Sequence, residues 1–295
     1  MRTTLQDLLK TGKPLVADGA MGTMLMALGM GRGECPELWN AERPDDVRAV
    51  YRQYIEAGSS IILTNTFGGT RYRLEMHDLG ERAAELNAAA ARGARAEADA
   101  ASRPVVVGGS MGPTGKMIEP MGTLAFEDAV AAFEEQARAL IENGVDVLWI
   151  ETMSDLEEVR AAVEGARRVD ADFPLVTTMT FDTHGRTMMG VRPEQAVEAL
   201  GAYGPLALGA NCGNGPDELE AAIEKMHGTA PDVILVAKAN AGLPHMEDGV
   251  PVYDATPDVM AEYAVRARGL GAHIIGACCG STPDHIRAIA TALEA

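Results

Sequence analysis

Short apolar runs recur along the chain, each broken by glycine or polar residues and followed by a longer amphipathic stretch. The runs occupy residues 15–17, 60–63, 105–107, 145–150, 175–179, 206–209, 233–237 and 273–276. Several are rich in β-branched residues, as expected of strands buried on both faces. The stretches between them have helical spacing. Pro44-Asp45-Asp46 opens the first, in which Val47, Val50, Tyr51, Tyr54 and Ile55 share a face and Gly58 ends the run. Further helices are predicted over 81–101, 127–142, 155–168, 193–200, 216–226, 257–268 and 283–293. The last four begin at proline, which suits a first helical turn.

Eight strand-helix alternations predict a parallel (β/α)8 TIM barrel; an open, doubly wound α/β sheet is the alternative with the same alternation. A chain of 295 residues fits one such barrel, whose typical size is about 250 residues. No linker, low-complexity run or second domain is visible. Chemistry in such barrels sits where strands end and the following loops begin. The strand ends here read Asp18-Gly19, Asn65-Thr66, Gly109-Ser110, Glu151-Thr152, Thr180-Phe181, Asn211-Cys212, Lys238-Ala239-Asn240 and Ala277-Cys278-Cys279. Polar and thiol groups are therefore expected to gather on one face.

Charge narrows the function. With 25 Lys and Arg against 43 Asp and Glu, the formal charge is −18. A basic footprint for phosphate is absent, so neither nucleic acid nor an anionic membrane is an expected partner. The opening MRTTLQDLLKTGKPLV has no continuous apolar core, so no signal peptide is expected. No run approaches the ~18 apolar residues of a membrane span. Four cysteines are too few for a disulfide scaffold. A reducing cytoplasm is the expected location, and clustered thiols there point to metal or catalysis.

Cys212 follows the sixth strand and Cys278-Cys279 the eighth, with one strand between them. Three thiols without a fourth fit a catalytic zinc site, which keeps one coordination position open. Gly276 and Gly280 flank the vicinal pair and allow the bend that aims both sulfurs at one ion. Spacing alone leaves open three buried cysteines acting as small hydrophobes. Cys35 matches no ligand motif and reads as a free loop thiol, and His285 reads as structural. The methionines of MGTMLMALGM suit either packing or the barrel mouth. Lys238 either balances acidic neighbours or merely ends its strand.

The segments DGAMGTML at 18–25, LTNTFGGT at 63–70, GSMGPTG at 109–115, WIETMSDLEE at 149–158, GANCGNGPDEL at 209–219, NAGLP at 240–244 and GACCGSTPDHIRAI at 276–289 run across nearly the whole chain. In that order they resemble the zinc-dependent homocysteine S-methyltransferase family. That family includes betaine–homocysteine methyltransferases, S-methylmethionine-dependent enzymes and the homocysteine module of cobalamin-dependent methionine synthase. The resemblance implies one homocysteine-binding (β/α)8 barrel methyltransferase domain over residues 1–295, in which Cys212, Cys278 and Cys279 bind Zn2+ and the homocysteine sulfur takes the fourth position. It makes Glu151 the partner of the substrate amino group. It gives Asp18 a contact with the amino acid or the donor, the alternative being a turn cap. Backbone amides around Gly19 and Ala20 would receive the substrate carboxylate, Asn65 and Ser110 would complete the ring, and Asn240 would occupy the metal before substrate arrives.

The donor implied is betaine, from CPELWN at 35–40 and the stretch at 109–124. Trp39 offers an aromatic face for a quaternary ammonium. The chain departs from the animal betaine enzymes at Gly68-Gly69, where a tyrosine follows the phenylalanine in those proteins. Methylcobalamin is the rival donor, expected to arrive on a separate corrinoid protein that docks around the barrel mouth; S-methylmethionine is a third. A non-catalytic module that retains the zinc site is the reading from another class. A homodimer is the default assembly.

Overall fold

The computed structural model describes residues 2–247 and 250–294. Eight parallel strands form one sheet: β1 (Leu15–Val16), β2 (Ile61–Leu63), β3 (Val106–Met111), β4 (Val147–Met153), β5 (Leu175–Met179), β6 (Ala207–Cys212), β7 (Leu235–Ala239) and β8 (Ala272–Ala277). Their spatial order is β1-β8-β7-β6-β5-β4-β3-β2, and a parallel bridge between Ala17 and Ile61 joins the two ends. The sheet is thus a (β/α)8 TIM barrel. Its outer layer is α1 (Pro44–Ala57), α2 (Ala83–Ala100), α3 (Phe126–Glu142), α4 (Leu156–Val169), α5 (Pro193–Gly201), α6 (Pro216–Thr229), α7 (Pro257–Gly269) and α8 (Pro283–Glu294). No helix among the described residues is long and apolar enough to cross a membrane.

Every strand is apolar on both faces because one face meets the helices and the other fills the barrel. Val16, Ile62, Val107, Leu148, Leu208 and Ile275 pack outward in the larger core shared with the helices. Leu15, Ala17, Ile61, Leu63, Val106, Val147, Trp149, Val176, Ala207, Val236 and Ile274 form a separate cluster inside the barrel. Leu5, from a short helix at Leu5–Leu9, joins that inner cluster.

The sequence reading of strands and helices agrees with this architecture, with shifts at some ends. The fourth strand starts at Val147 because Val145 closes α3, its N–H reaching Leu140 O at 3.4 Å. The seventh starts at Leu235 because Val233 closes a turn onto Ala230 O at 3.2 Å. Two features were not foreseen. The β1–α1 connection contains helical turns at Met21–Ala27 and Trp39–Glu42, and a small antiparallel hairpin pairs His245–Glu247 with Val250–Val252 beyond β7.

Strand alternation positions the site. Residues two apart on a strand point the same way, so the inward series continues upward from the apolar cluster. Val106 leads to Gly108 and Ser110, Val147 to Trp149 and Glu151, and Val176 to Thr178. Ala207 leads to Gly209 and Asn211, Val236 to Lys238, and Ile274 to Gly276 and Cys278. The same parity that buries valines at the bottom of the barrel delivers polar groups and a thiol at its top.

The layer between is nearly closed. A Cβ at Gly209 would collide with the backbone carbonyl of Val236, and one at Gly276 would meet Ala17 Cβ at 2.9 Å. Gly209→Ala is expected to destabilise the protein by about 1–3 kcal/mol, because backbone cannot retreat as a flexible side chain can. The check is the denaturant midpoint, with the unfolding slope unchanged.

Candidate metal and substrate site

At the C-terminal ends of the strands lies a cavity of about 290 Å³. The three thiols form one of its walls. Cys278 Sγ lies 3.4 Å and Cys279 Sγ 3.9 Å from Cys212 Sγ, and all three sulfurs are within 4.8 Å of one another. A tetrahedral zinc ion with Zn–S bonds of about 2.3 Å separates its sulfurs by about 3.8 Å. The spacing fits such an ion, and the three cysteines could together hold a metal.

Ionisation points the same way. Hydrogen bonds from Cys212 and Cys278, with help from the Tyr253 hydroxyl, draw the Cys279 thiol far below its ordinary value, to about 3. The same contacts and burial push Cys212 well above its own. The three thiols of the cluster thus titrate as one coupled unit. A dication at its centre supplies the charge that lets all three ionise.

Local backbone geometry aims these sulfurs. Cys212 has φ 65° and Gly213 φ 77°, so the chain turns sharply as β6 ends. At the end of β4, Thr152 also has positive φ, 60°, a costly conformation for a β-branched residue. Asn211 ties the two bends together. Its Oδ1 accepts from Thr152 N at 2.8 Å and Thr178 Oγ1 at 2.6 Å, while its Nδ2 donates to Thr152 Oγ1 at 2.6 Å. Nδ2 also stands 4.0 Å from Cys278 Sγ. Around the vicinal pair, Ser281 Oγ donates to Cys278 O and accepts from Ala20 N, and Thr23 Oγ1 accepts from Gly280 N. The DGAMGT and CCGS segments are therefore one hydrogen-bonded unit.

A second wall carries buried charge. Lys238 Nζ donates to Asp18 Oδ1 at 2.8 Å, and Asp18 Oδ2 accepts the Leu63 N–H at 2.6 Å. Burial alone would lower the Lys238 pKa, but Asp18, Glu151 and Cys278 together outweigh it and hold the ammonium above its ordinary value. Glu151 accepts the Ser110 hydroxyl at 2.5 Å. Burial pushes its carboxyl up to about 7, a rise that Lys238 and the Ser110 bond offset only in part.

Asp18, Gly19, Ala20, Asn65, Ser110, Glu151, Cys212, Cys278 and Cys279 all line this cavity. Several have their polar atoms engaged elsewhere. Asn65 Nδ2 donates to Pro36 O and Asn40 Oδ1, holding the loop beneath it. The Ala20 N–H is taken by Ser281 Oγ. Asn240 is not part of the cavity lining; its Oδ1 accepts the Cys279 N–H at 3.0 Å and its Nδ2 donates to Gly213 O, so it clasps the two thiol loops. Trp39 is not brought to the cavity. It is buried in a helical turn beneath the Arg43 guanidinium, 3.8 Å from the ring centre, and borders a separate surface hollow.

Phe67 and Tyr253 are the aromatic residues that line the cavity. Met21 and Met26, from the predicted methionine-rich segment, line it as well. Cys35 is buried against Glu37 Oε2 at 3.2 Å, and burial with that carboxylate pushes its thiol up to about 12. His285 bonds Thr282 and Ala255 O, away from the thiols.

Sequence reasoning placed Asn211 and Thr152 at strand ends without giving them a role, and missed Glu37 and Tyr253 as parts of this site. Asn211 shares its strand face with Gly209, so strand parity carries a signal for it; Thr152 lies in β4 but is turned by its positive φ, and Glu37 and Tyr253 depend on loop geometry that alternation does not reach.

Three thiols that could together hold a metal thus stand at the mouth of a (β/α)8 barrel, beside a buried glutamate. Residues 15–293 match the family model described as homocysteine S-methyltransferase. The chain is 33% identical over 305 residues to a methionine synthase of Mycobacterium leprae (strain TN), covering 97% of this chain and 25% of that protein. It is also 33% identical over 307 residues to a methionine synthase of Mycobacterium tuberculosis (strain ATCC 25618 / H37Rv), covering 99% of this chain and 25% of that protein. Among solved structures, the metallated form of the homocysteine methyltransferase MmuM from Escherichia coli superposes with a TM-score of 0.81 at 25% identity, covering 97% of this chain and 99% of that one. The chain belongs to the homocysteine S-methyltransferase family. It spans about a quarter of the length of the curated relatives it matches.

The Asn211 bridge yields a prediction. Asn211→Ala leaves Thr152 N–H and Thr178 Oγ1 without their buried acceptor, which costs about 1–3 kcal/mol. Because the bridge orients Cys212, the affinity of the three thiols for an added metal ion is expected to fall roughly 10–100-fold. Thermal unfolding and competition with a chromogenic chelator measure the two effects separately.

Proposed function

We propose that this protein methylates the thiol of homocysteine to give methionine, with zinc held by Cys212, Cys278 and Cys279 and with betaine as the methyl donor. The observation that carries the reading is the trio of sulfurs at zinc-compatible spacing in one small cavity with buried Glu151. When bound, zinc supplies a Lewis acid that deprotonates a thiol and keeps it nucleophilic at neutral pH.

The chain's own residues do the rest. Glu151 takes the homocysteine ammonium, with Ser110 fixing the carboxylate through its hydroxyl. Asp18 and Lys238 neutralise one another next to Glu151 and keep its field available to substrate. The turn at Gly19-Ala20 receives the substrate carboxylate through amides other than the Ala20 N–H, which Ser281 Oγ holds, and Asn65 supports that turn's neighbouring loop. Asn240 is assigned the metal's fourth position before substrate binds. That role requires it to release the Cys279 N–H, a local exchange coupled to substrate entry. Held this way, the sulfur meets the methyl group in line with the bond that breaks.

A small donor suits a cavity of about 290 Å³. Betaine is favoured on that ground, with S-methylmethionine of the same charged class behind it. A second reading rests on the relatives named methionine synthase, which are about four times as long as the matched segment. In that reading methylcobalamin, carried on a separate corrinoid protein, presents its methyl at the barrel mouth. Exposed Met26, Met117, Met121, Met188, Leu243 and Met246 are apolar surface on the loops of this protein. A cytoplasmic location and a homodimer complete the proposal.

The test combines metal analysis with a donor panel. The purified protein is expected to carry about one zinc per chain, and a strong chelator is expected to abolish methionine formation until zinc is restored. Homocysteine is then offered with betaine, dimethylsulfonium compounds, S-methylmethionine or methylcobalamin. Methionine from betaine is the expected result. Turnover with methylcobalamin alone would replace betaine by the corrinoid reading. Zinc-replete protein that neither binds homocysteine nor yields methionine with any donor would leave a non-catalytic zinc module.

A further inference from the structure

Glu37 is a buried acid in the cavity wall that the reading above leaves without a task. Its side chain is 5% exposed, and the residue lines the cavity with Pro36, Phe67 and Met26. Oε1 accepts the Gly68 N–H at 2.7 Å and Oε2 the Cys35 S–H at 3.2 Å. No lysine, arginine or histidine pairs with it among the described residues. Arg73 comes close, its Cγ and Glu37 Oε1 both meeting the position that a Gly68 Cβ would take, but its guanidinium turns to Met76 Sδ at 3.7 Å. Buried carboxylates are ordinarily paired with a cation. The other acids of the cavity are accounted for: Asp18 by Lys238, and Glu151 by the proposed substrate ammonium.

Position adds direction. Gly68 follows β2, and β2 lies opposite β6, which ends in Cys212. An in-line displacement puts the leaving group on the far side of the methyl from the attacking sulfur. The wall holding Glu37 stands across from Cys212, though only two strands from Cys278-Cys279, and is open to a leaving group displaced in that direction. Beside it, the Phe67 ring rests on the Gly112 backbone and is 40% exposed toward the mouth.

We infer that Glu37 is the residue that selects the charge of the methyl donor, favouring a methyl carried on a positively charged onium nitrogen or sulfur. The inference rests on homocysteine being the acceptor. In the step, the S–C bond forms, the bond from methyl to the onium atom breaks, and its electron pair stays on that atom. A thiolate and a cation become a thioether and a neutral amine or sulfide. The attraction to Glu37 is strongest for the bound donor and vanishes for the product. With most of the positive charge still on the donor at the transition state, most of that attraction is kept there, so Glu37 acts mainly on donor binding and product release.

Glu37→Gln tests this, because the carboxamide oxygen still accepts the Gly68 N–H while the charge is gone. Zinc-loaded protein without homocysteine is titrated calorimetrically with betaine, S-methylmethionine and 3,3-dimethylbutanoate, the uncharged-headgroup isostere of betaine. The wild-type protein is expected to bind at least one of the two onium compounds about tenfold more tightly than the isostere. In the variant that preference is expected to shrink to about twofold or less, with donor KM raised about tenfold and kcat and homocysteine KM little changed. Phe67→Leu should weaken onium binding in the same direction by about threefold.

A folded Glu37→Gln protein with undiminished onium preference would show that Glu37 merely ties Gly68 in place. Should the variant not fold, the wild-type titration still decides: equal binding of onium and isostere overturns the inference. The two readings fail separately. Onium binding without methionine formation sinks the acceptor assignment alone. Methionine from methylcobalamin with no onium binding sinks the role of Glu37 and leaves homocysteine methylation standing.

Discussion

The pleat of eight closed strands is the constraint on which the rest of this molecule depends. Because side chains alternate strictly, the inward positions of each strand form one continuous column from the barrel floor to its mouth. The floor is apolar and full, with Trp149 and the surrounding aliphatic side chains excluding water. Glycines at 108, 209 and 276 let strands and large side chains approach closely in the middle layer. Above that seal the columns end in Ser110, Glu151, Thr178, Asn211, Lys238 and Cys278. A one-residue slip of any strand would turn its functional group into the helical layer and place an aliphatic side chain in the cavity. Register and chemistry are therefore a single requirement.

The sealed floor makes the electrostatics of the mouth expensive, and the arrangement of charges answers this locally. Lys238 stands between two carboxylates, bonded to Asp18 and close enough to Glu151 to oppose its neutralisation. The vicinal thiols and Cys212 repel one another as anions, so they call for a cation of their own. The Leu63 N–H and Lys238 ammonium hold Asp18 and the Ser110 hydroxyl holds Glu151, which is how buried charge remains tolerable. Loops from β1, β6, β7 and β8 are joined through Ser281, Thr23 and Asn240. The thiol cluster consequently rests on several strands at once, and its geometry does not depend on any single loop.

The barrel was legible because its evidence is periodic. Eight apolar runs, proline-initiated helices and polar strand ends describe the architecture without reference to any distant contact, and the three clustered cysteines stand at those ends. What alternation could not reveal lies in the connections. Trp39 sits in a segment that sequence placed on the catalytic side, but a helical turn and the stacked Arg43 bury it away from the cavity. Tyr253 reaches Cys279 from a segment beyond the hairpin, and Glu37 reaches Gly68 across 31 residues of sequence. Asn240 illustrates the same point in reverse. Its place after β7 was visible, whereas its bonds to Gly213 and Cys279 depend on how three loops meet. Side-chain direction within a loop is set by partners that local sequence does not name.

The proposed reaction gives this uneven distribution of acids a physical sense. Water stabilises a thiolate and an onium ion apart and weakens their attraction. In a sealed cavity, a step that annihilates opposite charges proceeds with less loss of solvation, provided the protein first brings both ions inside. Each ion then needs its own counter-charge: a metal for the sulfur and a carboxylate for the donor. The counter-charges must also stand on opposite walls, because placing both on one wall would pair them with each other and leave the reactants unaligned. Cys212 at the end of β6 and Glu37 against the β2 loop satisfy that separation. Glu151 belongs to neither wall's task; it fixes the acceptor's amino group, which takes no part in the charge that disappears. On this view the cavity needs more than one buried acid, because the acceptor's ammonium persists through the reaction and the donor's charge does not.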